Sequence, residues 1–192
     1  VRVWAQGRTV FCSAVVLAIN GYASLFDPYF VDKVSPTRGL VFATAPLDDV
    51  ILEMPCSADY GYESCWQQAD GRLLLGSWRR PRPARESSSD QPTELDDLVR
   101  VGLTRFAGRH FPDVAASEAE RWSGVMGFTP DGLPLVGMLP NVPRVYFSVG
   151  LGGRGLGWAF VVAERVVNLM EHSVNPGILS AARLRGAVEA TS

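Results

Sequence analysis

The chain is poor in the residues that build metal centres and disulfide frameworks. Among its 192 residues there are two histidines, His110 and His172, and three cysteines, Cys12, Cys56 and Cys65. The cysteines are odd in number and loosely spaced, which indicates buried thiols of a reducing compartment rather than a disulfide framework. No paired Cys and His spacing occurs, so we predict that there is no metal site. We also predict a cytoplasmic location.

A strong charge of one sign and a long hydrophobic run are also lacking. The formal net charge is −2, which argues against nucleic acid or an anionic membrane as the main partner. No uninterrupted apolar run reaches the roughly 18 residues that indicate a membrane-spanning helix. The apolar stretch 11–19 lacks the cleavage pattern of a signal peptide. With 47% hydrophobic residues, the chain can fill the core of one domain or of two small ones.

Glycine, in contrast, is concentrated near the carboxyl end. An apolar, β-rich run at 145–149 leads into a loop with glycine at positions 150, 152, 153, 155 and 157, and a helical pattern follows at about 156–170. Such glycines let the backbone turn sharply and bring bare N–H groups at a helix N-terminus close to a ligand. The loop therefore predicts a site for an anionic or electron-rich partner.

One interpretation of this loop is the dinucleotide fingerprint G-x-G-x-x-G, because Gly150, Gly152 and Gly155 have its spacing. That fingerprint opens a βαβ unit in which an acidic residue follows about 20 residues later, on a second strand. Glu171 lies near that distance, but it ends a helical pattern, and the Asn-Pro-Gly sequence at 175–177 is a stop signal. No second strand is predicted, so a nicotinamide-binding domain is the weaker interpretation.

The rest of the chain alternates short strands with few helices. Strands are predicted at 10–19, 34–44, 50–54, 63–67, 72–78, 121–125 and 145–149, and a helix at 93–110. The valine-rich run at 10–19 is typical of a buried parallel strand, and 63–78 of a hairpin. These patterns predict a mixed or antiparallel sheet in the middle of the chain, with pieces of an α/β nucleotide domain at both ends.

Five motifs in a fixed order resemble the C-terminal half of one family, the FAD-dependent D-amino-acid-oxidase-like proteins. That family includes glycine oxidase, sarcosine oxidase and related amine dehydrogenases. The motifs are VVLAING at 15–21, PTRG at 36–39, DGRLLLG at 70–76, WSG at 122–124 with TPDGLPLVG at 129–137, and VGLGGRGL at 149–156. The resemblance covers nearly the whole chain.

The resemblance implies an α/β fold with α+β character, in which a partial FAD/NAD(P)-binding domain accompanies a mixed, largely antiparallel substrate-domain sheet. The implied boundaries are 1–27 for an FAD-domain segment, 28–128 for the substrate-domain sheet and helix, and 129–192 for the return to the FAD domain. The family's N-terminal βαβ unit has no counterpart here. Two alternatives stay open: a partner chain supplies the N-terminal FAD-binding half of a split or heteromeric enzyme, or the sequence is a truncated gene product.

The resemblance also implies which residues contact the flavin. The glycine loop would face the pyrimidine end of the ring, where N–H groups and a helix dipole stabilise the charge of reduced flavin. Relatives of the sarcosine oxidase type attach flavin through a cysteine where this chain has Gly124, so the FAD is expected to be non-covalent. The implied contacts are Asn20, Gly21, Gly124, Gly150, Leu151, Gly152, Gly153, Arg154, Gly155 and Leu156.

For the substrate, the resemblance implies an amine or amino-acid-like small molecule whose C–N bond is oxidised by hydride transfer to flavin. Members that oxidise amino acids hold the substrate carboxylate with an arginine; the corresponding residue here is Met126, which favours an amine or a modified amino acid. No catalytic residue is identified. The implied substrate contacts are Arg38, Tyr60, Tyr62, Trp66 and Met126.

Two further possibilities stay open. A chain that kept this fold without activity would be a regulatory domain or subunit that binds a partner chain or a small ligand. The loop sequence GLGGRGL at 150–156 also resembles the oxidase domain of the bifunctional tRNA wobble-uridine modification enzyme. The near-neutral charge gives that possibility no support.

Overall fold

The computed structural model describes residues 1–58, 61–77, 94–112, 114 and 118–184. They form two units, one made of Val1–Pro36 together with the chain from Met126 onward, and one made of Thr37–Val125. The described strands are β1 (Arg2–Ala5), β2 (Arg8–Phe11), β3 (Val15–Leu17), β4 (Ser35–Pro46), β5 (Cys56–Ala58), β6 (Glu63–Gln67), β7 (Arg72–Ser77), β8 (Glu118–Phe128), β9 (Leu135–Met138) and β10 (Val145–Val149). The described helices are α1 (Ala23–Phe26), α2 (Glu94–His110) and α3 (Gly155–His172).

The first unit is built on a three-stranded sheet in the order β3-β10-β9. β10 lies in the centre, parallel to β3 and antiparallel to β9. Because side chains alternate between the two faces of a strand, Val136 and Tyr146 face helix α3, which packs against them through Val162 and Val166. On the other face, Phe147 packs in a second cluster, which also contains Leu17, Phe30, Val34, Leu135 and Val149.

The single strand predicted at 10–19 is wrong. The chain instead forms a hairpin of β1 and β2, breaks at 12–14, and starts again as β3. The two residues of the hairpin turn, Gln6 and Gly7, have φ values of 50° and 76°, which suits the turn that matches the twist of paired strands. Local pairing therefore takes up the first half of the apolar run, and Phe11 is left 79% exposed. Only β3 becomes the predicted parallel strand.

The second unit is built on a five-stranded sheet in the order β5-β6-β7-β4-β8. The pairs β5–β6, β6–β7 and β7–β4 are antiparallel, so the hairpin predicted at 63–78 is confirmed for the described part. Helix α2 covers one face of this sheet, where Leu103 and Ala107 are buried with Phe42, Cys65 and Leu75. The predicted combination of helices with a mostly antiparallel sheet is confirmed.

The strand predicted at 50–54 is also wrong. The side chain of Gln67 takes the place of a neighbouring strand: its Oε1 accepts from Ile51 N at 2.9 Å and from Leu52 N at 3.2 Å. Its Nε2 donates to Asp49 O at 2.9 Å. The strand at this edge, β5, begins only at Cys56. Apolar content alone therefore did not decide which segment pairs with the sheet.

An ion pair fixes the turn that follows β8. Thr129 O accepts from Gly132 N at 3.2 Å, and Asp131 Oδ1 accepts from Leu133 N at 3.1 Å. Arg183 donates to both carboxylate oxygens of Asp131, at 2.6 and 3.0 Å, and to Leu133 O at 2.7 Å. The Arg183 guanidinium holds the pKa of Asp131 far below its ordinary value. Asp131 therefore has a structural role in this turn.

Within the part of the chain that the structure describes, no helix combines the length and the apolar character needed to cross a membrane.

We expect Asp131→Asn to lower the free energy of unfolding at neutral pH by about 1–2 kcal/mol, because the charged pair with Arg183 is lost at a partly exposed site. The folded-state pKa of Asp131 is depressed, so its contribution is present above the unfolded-state pKa of about 3.9 and is lost as pH falls below it. Urea unfolding at pH 7 and pH 3 should show the difference between wild type and variant shrinking at pH 3. Asp70→Asn, which removes an exposed partner of Arg72, is the control and should change little.

Candidate functional site

The glycine loop begins where the buried strand β10 ends. Gly150 has a φ of 71° and Gly152 a φ of 61°, which side chains with a Cβ rarely adopt. A Cβ on Gly150 would also lie 2.5 Å from Thr129 Cγ2. A short 3-10 turn, Gly152–Arg154, then leads into α3 at Gly155. The first two glycines of the loop are therefore required by the fold itself.

Two later glycines have no such structural reason. Gly155 is helical, with a φ of −54°, and a Cβ there would meet only Leu151 Cβ, at 3.7 Å. A Cβ on Gly157 would meet nothing within 4 Å. Alanine is a better helix former than glycine, so the helix itself gives no reason for glycine at its first and third positions. Open space beside bare backbone is what the close approach of a ligand requires.

The N-terminus of α3 is electrostatically suited to electron-rich groups. The cap residue Arg154 makes no side-chain cap hydrogen bond, and no acidic residue lies in the first turn. The first N–H groups of a helix have no intrahelical partner, and the helix dipole adds positive potential at this end. Arg154 is exposed, so its charge also lies at this end of the helix.

Asn20 and Gly21 lie directly against the loop, and their contact with flavin stays a prediction. Asn20 has a φ of 42°, and its Oδ1 accepts from Leu151 N at 3.0 Å. A third segment closes on the same point: a Cβ on Gly127 would lie 2.8 Å from Gly21 N and 2.9 Å from Asn20 Oδ1. The structure therefore brings Asn20, Gly21 and Leu151 together, with Gly127 packed against them.

Sequence reasoning missed Gly127 and Phe128 as members of this site. A Cβ on Gly152 would lie 3.4 Å from Phe128 Cε1, so the ring of Phe128 borders the loop. The available signal was their position between the WSG and TPDG motifs, immediately after the predicted substrate residue Met126. Met126 itself is half-buried on β8, next to Gly127. The predicted set was therefore incomplete around Met126.

The other predicted residues belong to the second unit, and their roles stay predictions. Gly124 is exposed on β8, with open space where a Cβ would be. Arg38 on β4 is half-buried, as are Tyr62 and Trp66 of the β6 hairpin. Tyr60 lies outside the described residues.

Residues 1–169 match the family model described as FAD dependent oxidoreductase, DAO. The chain belongs to this family of FAD-dependent oxidoreductases. Among curated proteins, it is 32% identical over 153 residues to the tRNA 5-methylaminomethyl-2-thiouridine biosynthesis bifunctional protein MnmC of Maricaulis maris (strain MCS10). That match covers 78% of this chain and 22% of the relative. The protein of the same name from Methylibium petroleiphilum is 28% identical, over 82% of this chain and 28% of the relative.

Solved structures show the same fold. Glycine oxidase from Geobacillus kaustophilus superposes with a TM-score of 0.73 at 21% identity, over 91% of this chain and 46% of that protein. L-proline dehydrogenase from P. horikoshii gives a TM-score of 0.71 at 19% identity, over 91% and 46%. The predicted family and fold class are confirmed. The chain spans less than half of each of these structures, and less than a third of the two curated relatives.

Replacement by alanine should have opposite effects on the free energy of unfolding at the two kinds of glycine. Gly150→Ala is expected to lower the free energy of unfolding by about 1–3 kcal/mol, because it forces a side chain into the left-handed region and against Thr129. Gly157→Ala should instead raise it, by up to about 1 kcal/mol, because alanine favours a helix. Gly108→Ala in α2, where a Cβ also meets nothing within 4 Å, is the matched control. Equal effects at 150 and 157, measured by denaturant unfolding, would contradict this division.

Proposed function

We propose that this chain holds the ring end of a non-covalent FAD with its glycine loop. We propose further that the complete enzyme oxidises the C–N bond of an amine or amino-acid-like substrate. The observation that carries the proposal is the pair Gly155 and Gly157, which leave helical backbone open to a close neighbour although the helix does not need glycine there. Membership of the FAD-dependent family supports the identity of that neighbour.

The chain's own contribution would be electrostatic and positional. When bound, FAD supplies the two-electron acceptor for the reaction. The N–H groups at the start of α3 would stabilise negative charge on the reduced ring, aided by the helix dipole. Asn20 would hold the loop in place through its hydrogen bond with Leu151 N, and Arg154 could add a positive charge at the loop.

The surface of the first unit supports a partner that supplies the N-terminal FAD-binding half. Among the strands that the structure describes, β3 lies at the edge of its sheet and pairs only with β10, which leaves one side of its backbone available to another strand. Helix α3 exposes Leu156 and Phe160 to 95% and 90%. These two side chains are one turn apart, on a different face from the buried Val162 and Val166. Whether the half is part of the same polypeptide or another chain, it would cover this apolar surface.

The proposed substrate class is argued from one residue of the first unit and, separately, from two residues of the second unit. Met126 puts an apolar, half-buried side chain where amino-acid oxidisers of the family carry an arginine, which favours an amine or a modified amino acid. Tyr62 and Trp66 add aromatic surface that could desolvate a neutral amine. Free thiols at positions 12, 56 and 65 agree with the cytoplasmic location that we propose.

A second candidate substrate is an amine carried on tRNA. It is favoured by the 32% identity to a protein named for biosynthesis of 5-methylaminomethyl-2-thiouridine in tRNA, because that substituent is itself an amine. The net charge of −2 gives no electrostatic support for nucleic acid in this part of the protein. The rest of the protein would then have to supply the contacts with tRNA.

FAD binding should depend on the helix-start glycines. In the complete protein, Gly157→Ala should weaken FAD binding by about tenfold or more, because its Cβ occupies the space that we assign to the ring. Titration with FAD, followed by visible absorption and flavin fluorescence, measures this. Gly108→Ala is the control and should bind as the wild type does. A protein that stays colourless with added FAD, or equal affinity in wild type and Gly157→Ala, would argue for a non-catalytic binding module.

Substrate class can be read from anaerobic reduction of the bound flavin. Small primary and secondary amines, amino acids and aminomethyl-modified tRNA are mixed with the flavin-loaded protein in separate arms, and loss of the oxidised-flavin absorption is recorded. Bleaching by small amines supports the proposal, and bleaching by modified tRNA alone supports the second candidate.

Quenching of tryptophan fluorescence by NADH and not by FAD would instead favour a nicotinamide-binding domain.

A further inference from the structure

Two thiols of the second unit face each other across neighbouring strands. Cys56 of β5 and Cys65 of β6 are partners in the antiparallel register, so their side chains project from the same face of the sheet. Directly opposed residues have Cα atoms about 4.5–5.5 Å apart. That separation lies inside the range of about 4.4–6.8 Å that a disulfide spans.

The two thiols have different surroundings. The sequence indicated buried cysteines, but Cys56 is exposed, whereas Cys65 is only 5% exposed. Burial, followed by the neighbouring Cys56, raises the pKa of the Cys65 thiol. β5 is a three-residue strand at the edge of the sheet, so small oxidants in solvent can reach Cys56. Cys56 is therefore suited to be oxidised first, with Cys65 behind it.

We propose that Cys56 and Cys65 form a reversible redox site, which hydrogen peroxide closes to an intramolecular disulfide. The sulfur of Cys56 attacks one peroxide oxygen, the O–O bond breaks, and Cys56 becomes a sulfenic acid as one water leaves. The sulfur of Cys65 then attacks the sulfur of Cys56. The S–S bond forms, the S–O bond breaks, and the hydroxyl leaves as a second water with the proton of Cys65. Two thiols thereby lose two electrons, which reduce one peroxide to two waters.

Packing around the pair favours closure without rearrangement of the core. Cys65 stands in register with Leu75 and is packed in the cluster of Phe42 and Leu103, so its position is fixed. Cys56 Sγ donates a weak hydrogen bond to Met54 O at 3.5 Å, and rotation of that side chain breaks it. The disulfide would tie the short edge strand β5 to β6. The two thiols lie outside the glycine loop, so their oxidation does not depend on the proposed function.

The third cysteine supplies an internal control. Cys12 belongs to the first unit and is half-buried, with its Sγ donating to Val1 O at 3.6 Å. Peroxide treatment of the intact protein, followed by peptide mapping without reductant, should give one cross-link between Cys56 and Cys65 while Cys12 stays a thiol. Thermal unfolding of the oxidised protein should move upward by roughly 5–10 °C. A reductant should reverse both changes.

Three variants decide the assignment. Cys12→Ser should keep both the cross-link and the rise in unfolding temperature, whereas Cys56→Ser, an exposed substitution that leaves the fold intact, should lose both. Cys65→Ala should leave Cys56 to accumulate as sulfenic acid, which a dimedone adduct detects. Overoxidation of Cys56 while Cys65 remains a thiol in the wild type, or dimers linked through Cys56, would overturn the inference.

Discussion

The hydrogen bond between Asn20 Oδ1 and Leu151 N joins the segment that follows β3 to the glycine loop that follows β10. β3 and β10 are parallel, so the segments that follow them leave the sheet at the same end. In α/β sheets, ligands bind at the carboxyl ends of the strands. Asn20 follows β3, and the glycine loop follows β10. Gly127 closes the arrangement, because any side chain there would collide with Asn20 and Gly21. The site therefore exists because three distant segments meet where only small or turn-forming residues fit.

The glycines of this loop fall into two groups, and only one group is explained by the fold. At Gly150 and Gly152, the fold needs a left-handed backbone, and at Gly150 also the absence of a Cβ. At Gly155 and Gly157 the backbone is helical and the space is open. Glycine stands there although helices favour alanine and no packing contact requires glycine. Such violations are expected where function, rather than folding, selects the residue. The second pair therefore says more about the ligand than the fingerprint spacing does.

Sequence patterns predicted the elements whose signals are local. The 3.6-residue spacing of apolar side chains in α2 and the short turn between β6 and β7 each lie within one segment, and both predictions are confirmed where the structure describes them. The errors at 10–19 and 50–54 involve a choice of pairing partner, and the second depends on the amide of Gln67. Gly127 and the Cys56–Cys65 pair were missed for the same reason. In both cases, the role of a residue is decided by a partner that lies elsewhere in the chain.

Helix α3 couples the loop to the surface that we assign to the N-terminal half. It is anchored on one side by Val162 and Val166 against Val136 and Leu179, while Leu156 near its first turn is almost fully exposed. A partner that packs on Leu156 would therefore fix the same N–H groups that we propose for contact with the flavin. Anything that binds only the assembled form stabilises assembly by mass action, and the effect is reciprocal. FAD binding and docking of the N-terminal half should then strengthen each other, since both act on the first turn of α3.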